Sequence, residues 1–431
     1  MSAVAPAGSM VRLSITLKIL GRFPNYWWDA GFSQMNEKTK HFVARRFKAY
    51  YTAAKIPPPR EFWQREWGFV LFDQHYPGRL VMRRHIALAT ETNFLSYLRE
   101  YAPAHAYYST AVYDDPTADM AKKGWLGADL IFDLDADHIV SEADLSRYSY
   151  EELLALVKAE TRKLLHFLIH DFGFADEEIE LAFSGSRGYH IHIATESVRG
   201  LGSRERREIV DYVAATGLEI KSFLVSDTTE QEHTAERQGK ADMKLVPEGW
   251  GRRVRDGLLD FLHELAAMED EQALQQIRAV GGLERKKAQT ILRIAKDETV
   301  MRRIEDGQIP QFAKPIWTAL TETVTKVVRV RSADHVDEPV TADIKRLIRL
   351  PGSLHGKSSL RAKPLTVETF EDFDPLADAV VFTNKPLKIC PLRDSAITLR
   401  GERYKIAKDE IESLPEFAAL YFLCRGAAEL A

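Results

Sequence analysis

The sequence predicts a mixed α/β (α+β) fold interrupted by a helical insertion. Three observations predict it. Short strand signals alternate with long helical periods through the first two hundred residues. A charged stretch of helical period and little strand character follows, and strand signals then return toward the C-terminus. On this reading residues 1–200 and 306–431 form one core, and 201–305 form an inserted helical subdomain.

In chain order, residues 37–54 have an amphipathic helical period with a basic face, stopped by Pro57-Pro58-Pro59. Residues 66–73 (EWGFVLFD) and 80–88 read as strands around a turn at His75-Tyr76-Pro77-Gly78. Residues 129–135 (DLIFDLD) are the strongest strand candidate. Ser149, with Glu152 three residues on, makes a capping box. The stripe Leu153, Val157, Leu164 and Leu168 then predicts a long helix ended by Gly173. Two strands, 178–184 and 189–194, flank a Gly-rich turn. Within the insertion, Gly281-Gly282 reads as a helix–helix connection. Strands are expected again at 324–331 and in the 379–405 region.

Composition narrows the function classes. The 431 residues are 45% hydrophobic and 28% charged, as expected of a globular protein. No run reaches the roughly eighteen apolar residues a membrane span needs, and the opening MSAVAPAGSM has no secretory pattern, so a cytoplasmic location is expected. Two cysteines, Cys390 and Cys424, are too few for a disulfide framework or a four-cysteine zinc site, and their apolar neighbours predict buried thiols. With a net charge of −4, nucleic acid could bind only through local basic clusters: 45–48, Arg83-Arg84, and the stretch from Lys326 to Arg349.

Three motifs carry chemistry. In Asp129-Leu-Ile-Phe-Asp133-Leu-Asp135-Ala-Asp137-His138, strand alternation sends Leu130, Phe132 and Leu134 to one face and Asp133 and Asp135 to the other. Two carboxylates about 7 Å apart on a strand can lean toward one divalent cation or a close pair, and without cations they repel. In Ser184-Gly-Ser186-Arg187-Gly-Tyr-His190-Ile-His192, two glycines allow amides to approach an anion, and the hydroxyls, guanidinium and one imidazole suit phosphate. His-x-His alone lacks the further ligands that zinc requires. The third motif, Arg349-Leu-Pro-Gly-Ser-Leu-His355-Gly-Lys357, resembles a Walker A loop but has three residues between its glycines instead of four, and no helix follows. It remains a basic, Gly-containing turn able to hold phosphates.

FDLD, then SGxRGxH, then an Asp eighteen residues before the His of RLxGSLHGK, in that order, resemble the catalytic small subunit of archaeo-eukaryotic DNA primases, archaeal type. The likeness reaches Arg65–Phe69 (REWGF) and the C-terminal FLCRG and is weakest in the helical insertion. The resemblance implies a primase catalytic core with an inserted helical subdomain. It implies template-directed attack of a 3′-hydroxyl on a nucleoside triphosphate, making short primers on single-stranded DNA. Asp133, Asp135 and Asp337 would be the catalytic, metal-binding carboxylates for Mg²⁺ or Mn²⁺, with Asp334 and Asp343 as alternatives to Asp337. Ser184, Arg187, His190, Arg349, His355 and Lys357 would hold the nucleotide, with Glu66 and Arg84 nearby. A large regulatory subunit is the implied partner. The chain departs from many relatives in two places: His138 to Tyr150 has no cysteine for a zinc knuckle, which puts a structural zinc in doubt, and Ser186 stands where some have a second Arg.

Two other functions compete. A haloacid-dehalogenase-like phosphatase also begins hhhDxDx[TV], but Asp137 stands at the Thr/Val position. A nucleic-acid-binding subunit with a dead core would not need the carboxylates.

Overall fold

The computed structural model describes residues 35–72, 81–141, 144–226, 243–281, 284–309, 318, 320–322, 324–325, 332–333 and 335–431. The chain divides into two compact units. One comprises residues up to Thr161, Ala175–Glu208 and His335–Ala431; the other comprises Arg162–Phe174 and Ile209–Asp334. The division therefore falls at other residues than the 201–305 expected, and the second unit takes in 162–174 as well.

In the first unit, α1 (Glu37–Ala53) begins where the Asn36 side chain accepts the Thr39 N–H. Its residues Thr39, Val43, Phe47 and Tyr51, four apart, are buried. Strands β1 (Trp67–Val70), β2 (Met82–Ile86) and β3 (His105–Ser109) join strand Leu347–Arg349 in an antiparallel sheet. The order is Leu347–Arg349, β3, β1, β2. Trp67 and Phe69 stack in parallel, and helix α2 (Glu91–Tyr101) lays Phe94 and Tyr97 against them. The expected turn at 75–78 lies outside the described residues.

A short pair, β4 (Ala111–Tyr113) and β5 (Trp125–Ala128), leads into β6 (Leu130–Asp135). Here β6 pairs with β8 (Gly188–Ile193), and β8 with β7 (Ile179–Phe183), all antiparallel. The register sets Asp133 opposite His190 and Asp135 opposite Gly188. Leu130, Phe132 and Leu134 are fully buried on the opposite face, as the alternation predicts. After the one-turn helix α3 (Ala136–Ile139), α4 (Tyr150–His170) starts at the expected capping box: the Ser149 hydroxyl accepts the Glu152 N–H while the Glu152 carboxylate accepts the Ser149 N–H. Gly173, at φ +74°, lets the chain turn away after it.

Farther on, strand Pro386–Pro391 pairs with Glu412–Pro415 and Ala428–Leu430, and Ser395–Leu399 pairs with Glu402–Ile406. Helix Glu416–Cys424, buried at every residue, contains Cys424. Cys390, on strand Pro386–Pro391, is only half-buried, against the buried thiol expected.

The second unit is largely helical, with Gly249–Ala267, Asp270–Gly281, Arg285–Ala295 and Glu298–Glu305. It also holds a three-stranded sheet, Leu224–Ser226, Met243–Leu245 and Gln308–Ile309, which the strand-poor reading did not anticipate. Strands two or three residues long give too little alternation to register. Asp171, almost fully buried, is held there by Arg252, Arg253 and the Tyr212 hydroxyl. The strand expected at 324–331 is corrected where it can be seen: Val324 and Thr325 are helical, with the Thr325 hydroxyl donating to the Thr321 carbonyl. Their β-branched propensity yields to local packing. Residues 326–331, with the first basic residues of that cluster, and Gly282 lie outside the described residues.

Candidate active site

The acidic centre is built on the C-terminal end of β6 and the residue that opens helix Glu338–Ala342. Asp337 caps that helix by accepting the Val340 N–H at 3.3 Å, and Pro339 sits in its first turn. The Asp337 N–H donates to the Asp133 carbonyl at 3.1 Å. This single backbone bond brings a residue two hundred positions away beside the FDLD strand. Asp343, at the far end of the same helix, accepts the Lys345 N–H instead. Asp334 lies outside the described residues.

The electrostatics follow from burial and like charge. Burial and then Asp337 push the Asp133 carboxyl up to about 6. Burial and then Asp133 push Asp135 up to about 6. Asp337 is also penalised by burial but is held below the usual range, chiefly by His138, whose Nε2 lies 3.2 Å from its Oδ2. His190 Nε2 stands 3.4 Å from Asp133 Oδ1. Burial pushes both His190 and His192 down to about 3, so both rings are neutral. His192 Nδ1 meets the Tyr108 hydroxyl at 3.4 Å, so the two rings of His-x-His serve different partners. Among the described residues, no three His, Cys, Asp or Glu side chains are gathered closely enough to enclose an ion as they stand. The donor set nevertheless fits a hard divalent cation. Its carboxylate oxygens are of the right type, and their mutual repulsion is what a cation would relieve.

The turn between β7 and β8 lies beside this centre. The Ser184 hydroxyl accepts the Ser186 and Gly188 N–H groups at 3.3 and 3.1 Å. It closes the turn, leaving its own proton to donate. Arg187 donates to Asp137 at 2.8 Å, and its charge also acts on Asp135. The Tyr150 hydroxyl donates to the Ser186 carbonyl.

The basic loop packs against this turn. Gly185 has φ +82°, and a Cβ placed there would come within 2.9 Å of His355 Cβ and 3.2 Å of the Leu360 carbonyl oxygen. The Ser358 hydroxyl donates to the Gly185 carbonyl. Tyr50 anchors the loop's start by donating to the Gly352 carbonyl at 2.7 Å. His355 Nδ1 lies 3.4 Å from both the Lys357 N–H and the Ser358 hydroxyl. Arg349 lies in the edge strand beside β3, buried, with its guanidinium over the Tyr107 ring. Gly185→Ala is expected to cost about 1–3 kcal/mol through its left-handed backbone and lost fit, and to raise KM for nucleotide. Thermal unfolding and steady-state kinetics check this; a variant matching wild type in both would refute it.

Glu66 and Arg84 form a separate arrangement. Glu66 is fully buried, with its Oε1 accepting from Arg84 at 2.8 Å and from the His85 N–H at 3.2 Å, and with Lys123 Nζ 3.3 Å from Oε2. Arg84 keeps a quarter of its side chain exposed. Glu66 thus anchors Arg84 from within, and Arg84 is the member of the pair able to face a ligand.

His138 as the partner of Asp337, Asp137 as the partner of Arg187, and His105 and Tyr107 beside Arg349 emerge only from the fold. Only His138 had a readable signal, since it stands three residues past Asp135 on the chain leaving the strand.

Comparison with known proteins shows the family. The profile of the DNA primase small subunit family matches residues 132–367. The chain is 42% identical over 400 residues to the DNA primase small subunit PriS of Methanococcoides burtonii, covering 92% of this chain and 99% of that one. It is 40% identical over 410 residues to PriS of Methanocella arvoryzae, covering 92% and 99%, and 39% identical over 401 residues to PriS of Methanothrix thermoacetophila, covering 92% and 100%. Asp133, Asp135, the SGSRGYH turn, Asp337 and the Arg349–Lys357 loop all fall inside the span the family profile matches, and the chain belongs to the DNA primase small subunit family.

Proposed function

We infer that this chain is the catalytic subunit of a DNA primase, joining nucleoside triphosphates into short primers, of RNA or DNA, on a single-stranded DNA template. The observation that carries the reading is the meeting of Asp337 with the Asp133 strand, next to a hairpin turn and a basic loop that pack on each other. A phosphatase of the DxD type has no use for the second and third of these elements.

Asp133, Asp135 and Asp337 would hold Mg²⁺ or Mn²⁺, which when bound acidifies the attacking hydroxyl and neutralises the leaving pyrophosphate. The remaining work is positioning and charge compensation, as phosphoryl transfer requires. Ser184, through its hydroxyl proton, and Arg187 address the triphosphate from the hairpin. His190, neutral and placed 3.4 Å from Asp133, can offer its ring N–H to a phosphate oxygen as a hydrogen bond, with no proton transferred. Arg349, His355 and Lys357 supply cationic and N–H donors from the loop. Arg84, held by Glu66, extends the positive lining. Oriented N–H donors in a site shielded from water stabilise developing charge more strongly than they would in bulk solvent. A large regulatory subunit is proposed as the partner that helps hold two initiating nucleotides, because ordering both without a primer is entropically costly.

The test is primer synthesis by the full chain on single-stranded DNA with nucleoside triphosphates and Mg²⁺ or Mn²⁺, with and without a large subunit. Template-dependent products of defined length are expected. Release of phosphate from monoesters, or DNA binding with no incorporation in any combination, would favour one of the two competing functions instead.

A further inference from the structure

We propose that His105 and Tyr107 are positioning residues for nucleotide binding: they orient the Arg349 guanidinium through neutral partners, so that its charge stays available to the triphosphate. The inference rests on the reading of Arg349 as a nucleotide contact. Arg349 is buried, yet among the described residues its hydrogen-bond partners are uncharged, and the Asp133 carboxylate feels its charge without bonding it. Its Nη1 lies 3.0 Å from His105 Nδ1, its Nη2 donates to the Tyr107 hydroxyl at 2.9 Å, and its carbon sits 4.8 Å from the centre of the Tyr107 ring. A guanidinium can only donate, so His105 Nδ1 must accept, which fixes the ring as the neutral tautomer protonated on Nε2. That nitrogen is wedged toward the loop: a Cβ on Gly356 would fall 2.8 Å from it. The ring also meets His355 edge-on at 4.9 Å. One imidazole therefore braces both Arg349 and the loop that carries Lys357.

Buried arginines are ordinarily paired with carboxylates, because an isolated buried charge is costly. A carboxylate at 105 or 107 would orient Arg349 equally well but would cancel the field it offers an incoming anion. A ring nitrogen and a phenol orient it and leave the cation to be neutralised by the ligand.

Charge and orientation separate in paired variants. His105→Gln and Tyr107→Gln supply neutral acceptors; His105→Glu and Tyr107→Glu supply charged ones. Steady-state primer synthesis should give KM for nucleotide within about threefold of wild type in the Gln variants and raised about tenfold or more in the Glu variants, the scale of one charge-assisted contact, with kcat changed less. Tyr107 is half-exposed, so its pair decides the matter if His105→Glu does not fold. Equal KM in the Gln and Glu variants of a folded pair overturns the inference. Arg349→Ala is the control: if it leaves KM unchanged, the nucleotide role of Arg349 itself is wrong; if it raises KM while each Gln and Glu pair agree, only the brace is wrong.

Discussion

Asp133→Asn is expected to lower primer synthesis by about 10²–10³-fold or more, the scale seen when one preorganised electrostatic contact to a reacting centre is removed. The substitution conserves volume and leaves the β6–β8 pairing and the backbone bond from Asp337 intact, since that bond uses the Asp133 carbonyl. It removes a buried carboxylate whose pKa is pushed up to about 6 by burial and by Asp337, so folding should not suffer. Unfolding temperature at neutral pH is expected to equal or exceed that of wild type. This separates a chemical role from a structural one, because a residue needed for packing would lose stability and activity together. Asp337→Asn should give a similar loss of synthesis, with His138 deprived of its anionic partner. Titrating Mg²⁺ or Mn²⁺ in the same assay supplies the second readout. Undiminished synthesis by both variants would remove these carboxylates from the site.

How much of this was legible in the sequence depended on the distance over which each signal acts. The alternation in LIFDLD was enough to put Asp133 and Asp135 on one face, because a strand's period is a local property, whereas His190 is set opposite Asp133 only by the pairing of the two strands. The capping box at Ser149 and the stop at Gly173 were likewise local. Asp337 could be chosen over Asp334 and Asp343 only by its spacing to His355 within a resemblance; nothing in its own neighbourhood marks it, and what brings it to Asp133 is a bond between backbones. The environment of Arg349 was not readable at all, since His105 and Tyr107 reach it through strand pairing across some 240 positions. Ser184 was legible as a residue of the turn but not as the acceptor that closes it. Glu66 was legible as a candidate site residue, but its complete burial between Arg84 and Lys123 was not.

That burial yields the second large effect. Glu66→Ala is expected to destabilise the protein by about 3–5 kcal/mol, the cost of leaving buried partners uncompensated. Lys123 is 1% exposed and Glu66 fully buried, so neither can turn to water. Burial by itself would raise the Glu66 pKa, but Arg84, Lys123 and His85 together hold it below the ordinary value. Lys123 is shifted downward as well, because burial, joined by Arg84, outweighs the attraction of Glu66 and Asp115. A carboxyl whose folded pKa lies below its unfolded value stabilises the fold above the unfolded value, about 4.3 for glutamate. That contribution is lost as pH falls through the folded value. The gap in unfolding free energy between wild type and Glu66→Gln should therefore be full at neutral pH and close on acidification below about 4.3. Denaturant unfolding at neutral pH and at two acidic values measures it, and a gap that widened toward acid would contradict the ion-pair account. Activity gives an independent reading. Arg84 loses its anchor in either variant, so KM for nucleotide should rise in the folded Glu66→Gln protein even at a pH where its stability is ample. An unchanged KM would confine Glu66 and Arg84 to folding alone.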